Sequence, residues 1–225
     1  MRSVGSKREL GAAVSNVVDC RLGGGSPTFV PAPVPLCITP HAPSRRADPS
    51  WVSKFTKASL ADRRSKEDTG AAKCINAKAE TVATKPSFRA AFKSRPCLVP
   101  ADGFYEWQKL PGGEKQPWFI TTTFEEPFAF AGLWERWRPK DAPSDTPDLE
   151  TFAILTTEPN PLCAPIHNRM PVMLPQDDWP RWLATPDDRK PLLRAFPAER
   201  MEAWPVGKAV GNVRNEGAEL VSRVA

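Results

Sequence analysis

The chain has 225 residues, 40% hydrophobic and 25% charged, the balance of a soluble globular protein with room for one sizeable core. No window approaches the roughly 18 uninterrupted apolar residues that a membrane-spanning helix needs. The net charge of +5 invites a nucleic-acid reading, but residues 1–65 hold 10 Lys and Arg against 4 Asp and Glu while the remainder holds 21 against 22, so global basicity says little about the main body.

Residues 1–65 have their own texture. Early charges (Arg2, Lys7, Arg8, Glu9) precede the short apolar piece GAAVSNVV, which Ser15 and Asn16 interrupt, and this argues against a secretory signal. RLGGGSPTFVPAPVPLCITPHAPSRRADPS then mixes Gly, Pro, Ser and Arg without a sustained period of two or 3.6. Only three of the chain's aromatic residues, Phe29, Trp51 and Phe55, fall here. The expectation is poorly ordered or irregularly wrapped chain, with a proline-rich tail laid over the core as the alternative.

From Lys66 onward the pattern becomes regular. SFRAAFKSR offers Ser87 as an N-cap and places Phe88, Ala91 and Phe92 on one helical face. CLVPA and FYEWQK read as strands, and Gly112-Gly113 in LPGGEKQP reads as a hairpin turn. PWFITTT, PFAFAGLWERW, TFAILTT and RMPVML are rich in β-branched and aromatic residues and predict further strands. QDDWPRWLAT predicts a second helix capped by Asp177 or Asp178, RKPLLRAF another helical turn, and MEAWPVGKAV a last strand. The sum is an α+β fold: a curved, barrel-like, mainly antiparallel sheet with short flanking helices. The high count of 26 prolines fits strands and irregular connections better than a helical bundle.

The chemistry-bearing residues are few. Five cysteines at irregular spacing, without a CxxC, point to reduced thiols and a cytoplasmic compartment. Two histidines, His41 and His167, with no HExxH and no Cys/His cluster, argue against a metal centre. No phosphate-cradling glycine motif is present, and the glycine run at 23–25 lacks the flanking strand and helix, so no cofactor is expected. Glu106 sits among aromatics in FYEW, sharing a strand face with Phe104 and opposing Tyr105 and Trp107. A carboxyl half-buried there should be hard to ionise, which suits acid–base work; a salt-bridged or outward-facing acid is the alternative. His167 lies in a loop feeding a strand, a position that can face a cleft, or it is an ordinary turn histidine. Asn76, with Lys78 nearby, can orient a phosphate or an oxyanion, or is a plain turn residue.

Taken together, INAKAET, KPSFRAAF, RPCLVPADGFYEWQK, FAFAGLWERW with ILTTEPN, IHNRMPVML and WPVGKAVGNVRNEGAELV resemble the SOS-response-associated peptidase (SRAP) family, from about residue 69 to residue 221. The resemblance implies an SRAP fold and an abasic-site processing function in the DNA-damage response. Its expected partner is single-stranded DNA containing abasic sites, met by a monomer with no metal and no membrane association. Family members use a cysteine that follows the initiator Met. Once exposed as the N-terminus, its α-amine attacks the ring-opened sugar aldehyde to form an imine, and its thiol closes a thiazolidine. The same residue carries autopeptidase activity, so the family combines hydrolase, lyase and crosslinking chemistry. By motif match, Asn76, Glu106 and His167 are the expected catalytic residues, and Lys78 (where the family usually has Arg), Thr156 and Arg169 the expected DNA-binding residues.

The start departs from the family, which begins Met-Cys-Gly-Arg, whereas this sequence begins Met1-Arg2-Ser3-Val4. None of Cys20, Cys37, Cys74, Cys97 or Cys163 can offer an adjacent α-amine. The expectation is therefore an SRAP-like domain over 66–225 preceded by an atypical 1–65. Two origins are open for that segment: a reading frame shifted or a start misassigned upstream of Lys66, or a replaced N-terminal third with sheet edges left unpaired. Without the cysteine the chemistry stops at a reversible imine. The alternative function is a degenerate single-stranded DNA-binding module.

Overall fold

A computed structural model describes residues 36–38, 52–54, 57–58 and 75–224, apart from 125–127, 140, 144, 213, 214 and 216. Met1 and Arg2, the glycine run at 23–25, Cys20, His41 and Cys74 lie outside the described residues.

The described strands form two sheets. In the larger, β5 (Pro96–Ala101) pairs antiparallel with β8 (Phe128–Trp137), and β8 pairs antiparallel with β9 (Leu149–Thr157). The short strands β10 (Met170–Pro171) and β11 (Met173–Pro175) extend β9 and β8. Only β3 (Lys57–Ala58) and β4 (Asn76–Lys78) run parallel to their neighbour, β9. The smaller sheet is antiparallel, in the order β12 (Met201–Pro205), β7 (Lys115–Thr122), β6 (Phe104–Lys109). Gly112 and Gly113, at φ of 93° and 89°, close the β6–β7 hairpin in the left-handed backbone region that glycine enters without steric cost. The fold is α+β and mainly antiparallel, as the strand pattern predicts.

The segment before Lys66 contributes to this architecture. β1 (Leu36–Ile38) pairs with β5, and β2 (Val52–Lys54) covers β1, so chain from this segment pairs the edge of β5. Strands of three residues are too short for an alternating pattern to be read against their proline-rich surroundings.

Side-chain alternation sorts the core into layers. One face of the larger sheet supplies Cys97, Val99, Phe128, Phe130, Phe152 and Ile154, which pack on Phe104 and Ile120 of the smaller sheet. The opposite face supplies Leu98, Ala131, Leu133, Ala153 and Leu155, covered by Phe88, Phe92 and Trp182 from the helices. Both faces of β5 are therefore dry, which is why it reads as an uninterrupted apolar run. Each fully buried phenylalanine contributes about 1.5–3 kcal/mol relative to exposure.

Helix α1 (Arg89–Ser94) buries Phe88, Ala91 and Phe92, the predicted face. Its N-cap is Phe88 and not Ser87, and no side chain caps it. The preceding turns feed the chain in directly, with the Phe88 N–H donating to the Lys85 carbonyl. In α2 (Trp179–Leu183) Asp178 occupies the N-cap position without making a capping bond, because the 3-10 turn Gln176–Asp178 leads into the helix. The helical turn expected in RKPLLRAF is split between α3 (Pro186–Arg189), which Thr185 and Asp188 close with a capping box, and the 3-10 turn Lys190–Leu192.

Candidate functional site

Glu106 lies mid-strand on β6, opposite Trp118 of β7. Its inward face is shared with Phe104, while Tyr105 and Trp107 belong to the cluster on the other side of the sheet. The side chain is only 1% exposed, and neither carboxyl oxygen has a hydrogen-bond partner among the described residues. Loss of water pushes the carboxyl up to about 8, against a smaller opposing pull from the Trp107 backbone. Burial thus holds Glu106 toward its protonated form.

The loop after β9 covers this face. Asn160 holds it: its Nδ2 donates to the Phe196 carbonyl at 2.7 Å, and its Oδ1 accepts from the Cys163 N–H at 2.9 Å. The N–H groups of Ile166 and His167 both return to the Cys163 carbonyl at 2.9 Å, making a single tight turn. Gln108, one strand period beyond Glu106, ties the loop to β6 by donating to the Pro165 carbonyl at 3.1 Å. The result sets His167 Nδ1 at 3.6 Å from Glu106 Oε1, with the His167 side chain 24% exposed. A buried acid is thereby linked to solvent through one half-buried imidazole, an arrangement suited to delivering and removing protons.

The same ring nitrogen meets the backbone of Arg169 twice. It can accept from the Arg169 N–H at 3.2 Å, or donate to the Arg169 carbonyl at 3.1 Å, according to tautomer. The Arg169 guanidinium turns away toward β4 and β9. Its Nη2 donates to the Thr156 carbonyl at 2.6 Å and lies 3.5 Å from Thr156 Oγ1. Its Nη1 and Nη2 also donate to the two carboxylate oxygens of Glu80, each at 2.9 Å.

The expected site residues therefore fall into connected groups. Glu106 and His167 are in contact, and His167 is joined to Arg169 and through it to Thr156. Lys78 pairs in register with Thr156 across the β4–β9 seam and is exposed. Asn76 lies on the same strand, opposite Ile154, and its buried Oδ1 has no hydrogen-bond partner among the described residues. Asn76 is tied to Glu106 by no described bond.

Sequence reasoning passed over two residues that the geometry brings in. Glu80 is 89 positions from the arginine it grips, so no local pattern could disclose it. Cys163 is buried near enough to Glu106 for that carboxylate to oppose its ionisation. Burial first, and Glu106 second, push its thiol up to about 12. Among the described residues, no group of three His, Cys, Asp or Glu side chains is placed to hold a metal ion, and no helix is long and apolar enough to cross a membrane.

Residues 32–213 match the family described as SOS response associated peptidase (SRAP). The chain belongs to the SRAP family. The abasic site processing protein YoqW of Bacillus subtilis is 42% identical over 153 residues, 66% of this chain and 66% of that protein. The abasic site processing protein YedK of Escherichia coli is 32% identical over 156 residues, 67% of each chain. The match thus spans about two thirds of the length of these relatives. A crystal structure of a protein from Bacteroides thetaiotaomicron, 30% identical, superposes with a TM-score of 0.72 over 84% of this chain and 81% of that one. The SRAP match begins upstream of Lys66 and includes β1, β2 and β3 together with every expected site residue.

Proposed function

We propose that this chain binds single-stranded DNA at abasic sites in the response to DNA damage, and that Glu106 and His167 handle the protons of imine chemistry at the sugar aldehyde. The observation that carries this reading is the 3.6 Å approach of His167 to a buried Glu106 whose ionisation burial opposes. Membership of the SRAP family and the names of its relatives supply the substrate class.

The sugar must first open from hemiacetal to aldehyde, which needs an acid at the ring oxygen and a base at the hydroxyl. An amine nitrogen of the chain, a terminal or lysine amine, then adds to the aldehyde carbon; the two protons it sheds end on the carbonyl oxygen, which leaves as water as the C=N bond forms. Glu106 starts as the acid, and His167, half open to solvent, returns or removes the proton. The unpartnered Oδ1 of Asn76 is an acceptor that can orient the attacking amine or a sugar hydroxyl. Lys78, with Thr156 and Arg169 behind it, faces the phosphates.

We assign to the described residues the reversible imine step; among them no cysteine offers an α-amine beside its thiol, which the thiazolidine crosslink and cysteine autoproteolysis need. The working unit is residues 66–225 together with β1, β2 and β3, whose pairing joins them to β5 and β9, and it acts as a cytoplasmic monomer.

The test is incubation with abasic single-stranded DNA, with and without borohydride. Borohydride reduces the C=N bond and fixes an imine. A band on a denaturing gel that requires borohydride is the expected outcome. Salt-sensitive binding with no trapped band would favour the degenerate DNA-binding module, and a heat-stable band without borohydride would overturn the reversible assignment.

A further inference from the structure

The Glu80–Arg169 fork stands out because it occupies the guanidinium expected to meet DNA. Both terminal nitrogens of Arg169 are engaged by the two oxygens of Glu80, the strongest geometry this pair of side chains offers. Nη2 is further held by the Thr156 carbonyl, which also accepts the Ala79 N–H at 2.8 Å. The fork therefore pins Arg169 to the seam where β4 runs into the turn carrying Glu80. The other end of Arg169, its peptide, brackets His167 Nδ1. Glu80 itself is 43% exposed and packs no core, so a purely structural role for it is weak.

We infer that Glu80 is a positioning residue for the acid–base pair: by gripping Arg169 on the β4–β9 seam it holds the residue 169 peptide against His167, and so fixes the imidazole facing Glu106. This rests on the reading of Glu106 and His167 as the proton-handling pair. The Arg169 guanidinium keeps Glu80 below the usual carboxylate range, so Glu80 holds its charge in the fork. A phosphate that used the fork would have to displace Glu80 from a bidentate pair, whereas Lys78 is exposed beside it on the same seam.

The experiment compares wild type, Glu80→Ala, Glu80→Asp and Arg169→Lys as full chains. Histidine-selective nitrogen NMR reads the His167 ring tautomer, with His41, the sequence's other histidine, as the second signal and His167→Asn to assign the two. Abasic-DNA imine trapping and single-stranded DNA affinity are measured in parallel. Glu80→Ala is expected to shift the His167 ring resonances, and to slow trapping by roughly tenfold to a hundredfold, with the Kd for DNA unchanged. Arg169→Lys, which keeps the charge but loses the fork, is expected to shift His167 in the same way. Glu80→Asp, which keeps a carboxylate, is expected to recover most of the wild-type spectrum. An unchanged His167 spectrum in both Glu80→Ala and Arg169→Lys overturns the inference. Tighter DNA binding by Glu80→Ala with an unmoved His167 also overturns it, and makes Glu80 a gate on the Arg169 fork. Failure of the wild type to bind or trap abasic DNA would sink the proposed function, while the NMR comparison still decides what Glu80 does.

Discussion

Nδ1 of His167 approaches Oε1 of Glu106 to 3.6 Å across a face that the loop after β9 seals. The acid has lost its water and gained only a weak compensating pull from the Trp107 backbone, so burial raises its pKa to about 8. The pair therefore joins a stored proton to an imidazole that solvent can reach.

The stability of the protein should carry the signature of this acid. The folded carboxyl stays protonated where the unfolded one has ionised, so between pH 4.5 and about 8 the folded state binds the extra proton and stability falls as pH rises. The penalty is absent below pH 4.5 and complete above 8, with a ceiling on the order of 5 kcal/mol. Glu106→Gln removes the titration. Denaturant unfolding across this range should give a variant that matches wild type near pH 4.5 and is the more stable of the two at pH 8. Parallel curves would show that Glu106 ionises freely in the fold.

The buried thiols should be silent. With Cys163 pushed up to about 12, about one thiol in ten thousand is ionised at pH 8, and Cys97 and Cys163 are both buried. A brief iodoacetamide pulse on native protein, followed by peptide mass spectrometry, should leave both unmodified, with rapid labelling once denaturant is added. Fast native labelling of Cys163 would mean that the loop over Glu106 opens readily.

Much of this architecture is legible from side-chain pattern. The alternation in FYEW places Glu106 on the face of Phe104, and its aromatic neighbours announce its burial; both hold in the structure. Phe88, Ala91 and Phe92 mark the buried face of α1 because helical period survives even in a six-residue helix. What escapes is anything that depends on distant chain. Ser87 looks like a cap, yet the turn that delivers Phe88 to the Lys85 carbonyl decides where the helix starts. The strands β1 to β3 are too short for any period to register. Glu80 reads as one more charge until the fold sets it against Arg169. Asn160, buried and holding the loop that carries His167, gives no sign of that role in TTEPNPLC.

The turn into β6 leaves no room for a side chain at Gly103. A Cβ there would meet the Phe119 ring and stand 2.8 Å from the Ile120 carbonyl oxygen, which is backbone and cannot step aside. Gly103→Ala should therefore destabilise the fold by about 1–3 kcal/mol through overpacking. Because Gly103 precedes the strand that carries Glu106, the same substitution should also reduce imine trapping, whereas Gly211→Ala, where nothing lies within reach of the added methyl, should leave both stability and trapping near wild type. Thermal melts and the borohydride assay on the two variants check this directly. A neutral Gly103→Ala would mean that β6 can slide without cost.

Arg189 tests the other side of the larger sheet. It is 2% exposed and no carboxylate forms an ion pair with it among the described residues; its guanidinium instead donates to the carbonyls of Phe92, Trp182 and Ala184, with Nε reaching Trp182 O at 2.7 Å. The cation also lies over the Phe92 ring. One side chain thus satisfies carbonyls at the ends of α1 and α2 and joins both helices to α3. Arg189→Met keeps the apolar stem but leaves these acceptors dry and unpaired, and should cost about 3 kcal/mol or more. Arg189→Lys can satisfy fewer carbonyls and should fall between wild type and Arg189→Met. Neither variant touches Glu106 or His167, so at temperatures where each is folded the trapping rate should be that of wild type. A methionine variant as stable as the parent would show that water reaches these carbonyls, and that the helix layer is held by Phe88, Phe92 and Trp182 alone.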